Sequence, residues 1–223
     1  MWGYRRIWAY LKKNGIEMNK KKVLRICREN GFLVTLKRHK AIRTVKPKIK
    51  PSKPREIIGI DMTSIQTNQG KVYYIAVIDW YTRELLGSHV SMRARTEEWL
   101  KALDNALNEG WPYGAKSQGI KLISDNGTQP TSRRFNEFCE SLGIRQIFTT
   151  YNNPKGNANT ERYFRTAKEE ILWPREYETF EELKSAIEEF ERFYNYEYPH
   201  SAIGYKSPKE YFKQTCETLP KVS

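Results

Sequence analysis

Ile57-Ile58-Gly59-Ile60-Asp61-Met62-Thr63 is the stretch that decides the reading of this chain. A short β-branched run is a buried strand rather than a helix, and here it ends on an acid, Asp61. The pattern recurs at Ile120-Lys121-Leu122-Ile123-Ser124, which runs into Asp125-Asn126-Gly127-Thr128. A third acid, Glu161, lies in Asn157-Ala158-Asn159-Thr160-Glu161, at the start of a helical stretch and 35 residues beyond Asp125. Two carboxylates at strand ends and one on a helix can meet at one point, where oxygen ligands hold hard divalent cations.

Outward from the first run the pattern stays β. Residues 56–61, Val72 to Ile78 and Glu84 to Val90 read as three strands, with Gln69-Gly70 and Thr82-Arg83 as turns. Thr96 is expected to cap a helix whose inward side is Trp99, Leu100, Leu103, Ala106 and Leu107. A strand over 120–124 delivers Asp125. A helix over 131–142 carries Phe135, Phe138 and Leu142 and stops at Gly143; a strand over 145–148 follows. Residues 149–156 read as an exposed loop and 157–172 as one long helix ending before Trp173-Pro174. A helix over 179–195 presents Leu183, Ile187 and Phe190, and a short one near 208–213 follows Ser207-Pro208. Three strands, helix, strand, helix, strand, helix is an α/β order. It fits a mixed sheet with flanking helices on both faces, similar to ribonuclease-H-like folds, and open α/β sheets place their sites where strand ends meet helix starts.

The first 55 residues differ in character. They hold 18 of the 39 Lys and Arg but only two of the 26 acids, Glu17 and Glu29, so the net charge of +13 is entirely N-terminal. A polyanion such as DNA is drawn to that end by counterion release; a basic face kept for solubility is the plainer alternative. Ile7, Tyr10 and Leu11 mark one helix, stopped at Asn14-Gly15. Asn19 offers an N-cap to a second, with Val23, Ile26 and Cys27 inside and Lys20, Lys21, Lys22, Arg25 and Arg28 outside, ended by Asn30-Gly31. Helix, tight turn and basic helix fit a helix-turn-helix unit, or an αα-hairpin that merely packs on the rest. Residues 46–55, with Pro47, Pro51 and Pro54 among lysines, read as an extended basic linker. The expected division is 1–45 helix-turn-helix, 46–55 linker, 56–175 α/β core and 176–223 helical extension.

Cys27, Cys139 and Cys216 are odd in number and far apart, and with His39, His89 and His200 they form no zinc spacing. That pattern suits a reducing compartment. No apolar run has membrane-spanning length and no signal-peptide pattern opens the chain. A soluble, cytosolic protein with no membrane partner is expected.

Singly, each acid has an ordinary explanation. Asp61 could cap a turn, Asp125-Asn126-Gly127 is a turn signal, and Glu161 sits in an acid-rich neighbourhood with Glu169 and Glu170. The helix changes the weighing. Asn157, Glu161, Arg165 and Lys168 fall on one polar face, opposite Ala158, Tyr163 or Phe164, Ala167 and Ile171. A carboxylate for metal and cations for phosphate on one face suit phosphoryl transfer on nucleic acid. Arg162 is turned about 100° away and reads as a surface residue.

Asp61-Met62-Thr63, Ser124-Asp125-Asn126-Gly127, and Asn157-Ala158-x-x-Glu161 with Lys168 seven residues on resemble the DDE transposases of bacterial insertion sequences, OrfB-type, of the insertion-sequence-three group, with a retroviral-integrase-like core. The tail Tyr194-Asn195-Tyr196-x-Tyr198-Pro199-His200-x-Ala202-Ile203-Gly204-Tyr205-x-Ser207-Pro208 and the opening Gly3-Tyr4-Arg5-Arg6-Ile7 resemble the same family, so the likeness covers nearly the whole chain. It implies a polynucleotidyl transferase in which Asp61, Asp125 and Glu161 hold two Mg²⁺ or Mn²⁺ ions. Asn157, Arg165 and Lys168 would meet DNA near the cut, and Lys20, Lys21, Lys22, Arg25 and Arg28 would grip element ends. It also implies double-stranded DNA as element end and target, a homo-oligomer on DNA, and in many members an upstream-frame DNA-binding partner. The family often has Asp-Asn before the alanine, where Gly156-Asn157 stands here. A ribonuclease-H-like nuclease that cuts without joining, and a non-catalytic DNA-binding regulator, are the competing readings.

Overall fold

The structure is a computed structural model that describes residues 2–33, 49–149 and 156–218. The start of the linker (46–48), His39, and all of the 149–156 loop except Thr149 and Gly156 therefore lie outside the described residues. Five strands form one mixed sheet in the order β3-β2-β1-β4-β5, with β1 Ile57–Thr67, β2 Gly70–Asp79, β3 Leu85–Ser91, β4 Lys121–Ser124 and β5 Arg145–Phe148. β1 is central. It pairs antiparallel with β2 from Ile58↔Asp79 to Thr67↔Gly70, and parallel with β4 over Ile57↔Lys121 to Gly59↔Ile123.

β1 is longer than its apolar run. Asp61 is its fifth residue, not its end, because β2 continues to pair with it as far as Thr67. What ends near Asp61 is the parallel partner. Beyond Gly59 no β4 residue covers that edge of β1.

Side-chain alternation splits the core into two layers. Ile58 and Ile60 of β1, with Ile75 and Val77 of β2, face Trp99, Leu103, Ala106 and Leu107 of α3 (Thr96–Gly110) and Phe135 and Cys139 of α4 (Arg133–Leu142). Val72, Tyr74, Ala76 and Ile78 face the opposite way, toward Tyr163, Phe164 and Ala167 of α5 (Ala158–Ala167) and Leu183, Ile187 and Phe190 of α6 (Phe180–Tyr196). Residues 176–196 thus help to build the second layer. Asp61 has the parity of Gly59, and Gly59 lies against Thr160 and Asn157, so Asp61 belongs to the α5 side.

Several local expectations need correction. Thr96 is the first helical residue of α3 rather than its cap; the N-cap is Arg95, whose backbone N–H donates to the Glu98 carboxylate at 2.8 Å. The helix expected over 157–172 is α-helical only to Ala167 and continues as a π turn, Lys168–Leu172. Ala158, expected to pack on the sheet, is exposed, and Thr160 takes the buried place. The final helix, α7 (Pro208–Thr218), runs beyond 213.

The N-terminal pair is as read. α1 (Tyr4–Lys13) stops at Asn14, and α2 (Lys20–Glu29) is capped by the Asn19 side chain, which accepts from the Lys21 N–H at 2.8 Å. α1 rests on the core. Trp2 stacks on Phe193 and donates its indole N–H to Glu170 at 2.8 Å, and the Arg6 guanidinium lies 4.6 Å from the Tyr198 ring centre. The end of the linker is anchored rather than free. Arg55 has a left-handed backbone (φ 66°) and pairs at 3.0 Å with Glu84, which is fully buried. Among the described residues no helix is long and apolar enough to cross a membrane.

Candidate active site

The register of the parallel pair sets the geometry. Gly59 stands beside Ile123, and extending that register by two residues puts Asp125 alongside Asp61, just where the pairing has stopped. Asp125 closes a turn after β4. Its Oδ1 accepts the Gly127 N–H at 3.1 Å and its side chain is exposed. Glu161 comes from the first turn of α5, which the sheet admits unusually close. A Cβ at position 59 would lie 2.2 Å from Thr160 Oγ1 and 2.4 Å from Trp80 Nε1. Only glycine lets α5 settle so near β1, one residue before Glu161.

Asp61, Thr63, Glu161, Arg165, Lys168 and Trp173 line one cleft of about 230 Å³. Burial pushes the Asp61 carboxyl up to about 6; the carboxylates of Asp125 and Glu161 push the same way, while the Met62 N–H and Lys168 oppose them. Burial also raises the Glu161 carboxyl, against the pull of Arg165.

The three acids therefore share one neighbourhood and one side of the sheet. They are not a closed cage. Among the described residues no three His, Cys, Asp or Glu side chains stand at metal-enclosing spacing. Asp61 and Glu161 share the cleft; Asp125 is not among its lining residues, and its carboxylate is turned onto its own backbone at Gly127.

The other named residues divide. Lys168 lines the cleft as expected, and Arg165 does so from an exposed position on α5. Asn157 does not join that exposed face. It is buried, with its amide donating to the Ile60 carbonyl at 3.3 Å, and so it ties α5 to β1 from below. Lys20, Lys21, Lys22, Arg25 and Arg28 are exposed on α2 around its buried residues Val23 and Cys27; Arg25 pairs with Glu29 at 3.7 Å. Two features were not foreseen. Trp173 reaches the cleft by way of the π turn, which no periodicity announces. Behind α5, the Tyr163 hydroxyl is hydrogen-bonded to that of Tyr74, which donates to Glu191 at 2.8 Å. The sequence hint for that network was only that tyrosines stood where an apolar stripe was expected.

Two families described as Integrase core domain match residues 51–154 and 142–208, and an HTH-like domain matches residues 1–40. The transposase for insertion sequence element IS904 of Lactococcus lactis is 27% identical over 95% of this chain and 87% of its own length. The putative transposase InsK for insertion sequence element IS150 of Escherichia coli is 28% identical over 99% of this chain and 80% of its own. Among solved structures, the HTLV-2 integrase catalytic core domain in complex with magnesium superposes with a TM-score of 0.54 at 17% identity, over 73% of this chain and 99% of that one. A chain of the simian T-cell lymphotropic virus intasome in complex with PP2A regulatory subunit B56 gamma gives 0.58 at 16% identity, over 97% of this chain and 72% of that one. At these identities the structures speak for the fold, a ribonuclease-H-like integrase core. The chain thus carries an HTH-like domain over residues 1–40 followed by an integrase core over 51–208, and its relatives along nearly its full length are transposases of bacterial insertion sequences.

Proposed function

We propose that this chain is a DDE polynucleotidyl transferase that cuts DNA at insertion-element ends and joins the freed 3′-hydroxyl to target DNA. Asp61, Asp125 and Glu161 are its metal-holding acids. The observation that carries this reading is the cleft itself: two carboxylates from different elements, a third raising the first one's pKa, and two cations at the same opening.

The donor set fits a hard cation, since every candidate ligand is a carboxylate oxygen. Mg²⁺ needs only one or two carboxylates, completing its shell with water and substrate phosphate. An open arrangement of Asp61 with Glu161, and of Asp61 with Asp125, is compatible with that habit. We assign Asp61 and Asp125 to a shared pair of ions and Glu161 to the second of them. Bound divalent ions would supply Lewis-acid stabilisation of charge on the reacting phosphate oxygens and lower the pKa of the attacking group.

The remaining work falls to the protein. Asp61 must be ionised to act, so it is poised to lose its proton when a cation arrives. Lys168 and Arg165 hold a phosphate beside the cut. Water attacks phosphorus in line and the bond to the 3′-oxygen breaks, leaving a 3′-hydroxyl and a 5′-phosphate. That hydroxyl then attacks a target phosphodiester, making one ester bond as another breaks. No covalent enzyme intermediate is involved. Lys20, Lys21, Lys22, Arg25 and Arg28 bind the end through phosphates, which position rather than specify. We read 1–45 as the DNA-binding region, 46–55 as linker, 56–175 as core and 176–223 as its helical extension. The enzyme works as a homo-oligomer on DNA in the bacterial cytosol, with room for an upstream-frame DNA-binding partner.

Asp61→Asn, Asp125→Asn and Glu161→Gln are each expected to abolish Mg²⁺-dependent cleavage and joining while leaving DNA binding intact. Strand transfer surviving in any one of them removes that residue from the metal set. A pre-cleaved end bearing a 3′-hydroxyl tests joining alone; cutting without joining would make the chain a nuclease instead.

A further inference from the structure

Trp173 is 69% exposed, whereas Trp80 and Trp99, the tryptophans that serve the core, are 4% and 2% exposed. Among the described residues no hydrogen bond engages its indole. It is nonetheless not a stray surface residue, because it lines the same cleft as Asp61, Glu161, Arg165 and Lys168.

The π turn accounts for its position. Its backbone N–H closes onto the Lys168 carbonyl, five residues back, at 2.9 Å. Over five residues an α-helix turns by about 500°, which would leave residue 173 roughly 140° from Lys168. A π turn, with about 4.4 residues per turn, brings it to within roughly 50°. The insertion thus turns the indole to the side of the cleft that carries the phosphate-binding cation. Pro174, directly after it, cannot continue the helix.

A cation that takes phosphate and a flat aromatic face beside it are the two groups that hold a nucleotide whose base has left the duplex stack. We propose that Trp173 stacks on an unstacked base of the strand being cut, next to the scissile phosphate, and so sets the strand's position relative to Asp61 and Glu161. This rests on the DNA-processing reading above and adds to it a base-binding surface. Stacking accepts any base, so the contact would favour distorted or unpaired ends over intact duplex rather than a particular sequence.

The test uses the full chain in EDTA, which separates binding from chemistry. The probe is a short duplex with a single-stranded 3′ extension carrying 2-aminopurine at one position in turn. Wild type and Asp61→Asn should both quench the fluorophore at one or two adjacent positions. Trp173→Ala should not, Trp173→Phe should quench in part, and affinity by anisotropy should fall about 5- to 100-fold in the alanine variant. The circular dichroism spectrum and Tm of both variants should match wild type, since the side chain is exposed. Equal quenching by wild type and Trp173→Ala overturns the proposal, as does absence of quenching by wild type at saturation. Failure of the carboxylate assignment is distinct: Asp61→Asn would then still cut DNA in Mg²⁺, whatever Trp173 does.

Discussion

A β-carbon on Gly59 would stand 2.2 Å from the hydroxyl of Thr160. The central strand and the helix that carries Glu161 therefore touch at a point with room for one hydrogen atom. Trp80 adds to the crowding by donating to the same hydroxyl at 3.3 Å. Gly59→Ala must push α5 outward or bend β1, and overpacking of this kind costs about 1–3 kcal/mol. For a chain of this size that is a fall in Tm of roughly 2–12 °C. The larger effect should be on activity, because the displaced helix takes Glu161 away from Asp61. We expect the Mg²⁺ concentration for half-maximal cleavage to rise at temperatures where the variant is fully folded. An unchanged Mg²⁺ requirement would mean that the α5–β1 contact does not set the site.

That contact also shows what the sequence could and could not say. Ile57-Ile58-Gly59-Ile60 announced a strand and Asp125-Asn126-Gly127 a turn, because period-2 patterns and turn residues are local. The order of elements then implied the two-layer sheet. Burial of Asn157 was not legible, since an amide at the start of a helix looks solvent-facing until the Ile60 carbonyl is known to lie beneath it. Nor was the true length of β1. Met62-Thr63-Ser64-Ile65 is only weakly apolar, and it is held in the sheet by its partner Val72-Tyr73-Tyr74-Ile75. The π turn buries Leu172 among Leu183, Ile187 and Phe190 of α6, and no helical periodicity in 157–172 announces it.

Asp61 and His200 should give the fold two opposing pH dependences. Asp61 has a folded pKa of about 6, above its usual value, so the native state holds that proton more tightly than the unfolded chain. Its ionisation destabilises the metal-free fold as pH rises from about 4 to 6, by up to roughly 3 kcal/mol. His200 is buried near Arg83, Arg6 and Arg162, and burial is the main cause of its pKa falling to about 3. It must stay neutral in the fold, so it costs stability as pH drops below 6.5, by about 1.4 kcal/mol per unit at most. Urea titrations from pH 4 to 7 in EDTA should show Asp61→Asn steepening the acid-side loss and His200→Gln removing much of it. Mg²⁺ should raise Tm more at pH 7 than at pH 5, since it competes with the Asp61 proton. A Mg²⁺ effect independent of pH would speak against Asp61 as a ligand.

Behind the site, Tyr74 is a bridge between the hydroxyl of Tyr163 and the carboxylate of Glu191. It takes the hydrogen bond of Tyr163 and gives its own to Glu191, whose carboxyl burial has raised above its ordinary value. Tyr74→Phe leaves the buried Tyr163 hydroxyl without its partner, and an unsatisfied buried polar group costs about 1–3 kcal/mol, while Glu191 keeps its hydrogen bond with Ser88. Glu191→Gln keeps an acceptor for Tyr74 and removes a buried charge, so it should be milder. The expected order in chemical denaturation is wild type, then Glu191→Gln, then Tyr74→Phe. The reverse order would mean that the carboxylate's charge, not the hydroxyl chain, stabilises the layer.

Arg55 is where a basic linker becomes part of the core, and its removal should be felt far from any DNA. Its guanidinium meets Glu84 at 3.0 Å and lies 4.5 Å from the Phe212 ring centre, while its backbone N–H donates to Asp79 at 3.2 Å. Glu84 has no exposure and keeps a second cation, Lys209, at 2.7 Å, which also pairs with Glu109. Breaking a buried pair costs about 3–5 kcal/mol when the survivor is left alone. Here Lys209 remains, so Arg55→Ala should cost roughly 2–3 kcal/mol, and Arg55→Ala with Lys209→Met clearly more than the sum of the two single changes. Arg55→Lys should recover only part of the loss, since an ammonium cannot lie flat on Phe212 while reaching Glu84. A second readout separates anchoring from simple stability. If Arg55 fixes the point from which the linker leaves the core, Arg55→Ala should make the preceding segment more accessible to limited proteolysis at temperatures where the core is intact. Unchanged cleavage there, with the stability loss present, would reduce Arg55 to a buried ion pair with no bearing on how the DNA-binding helices are held.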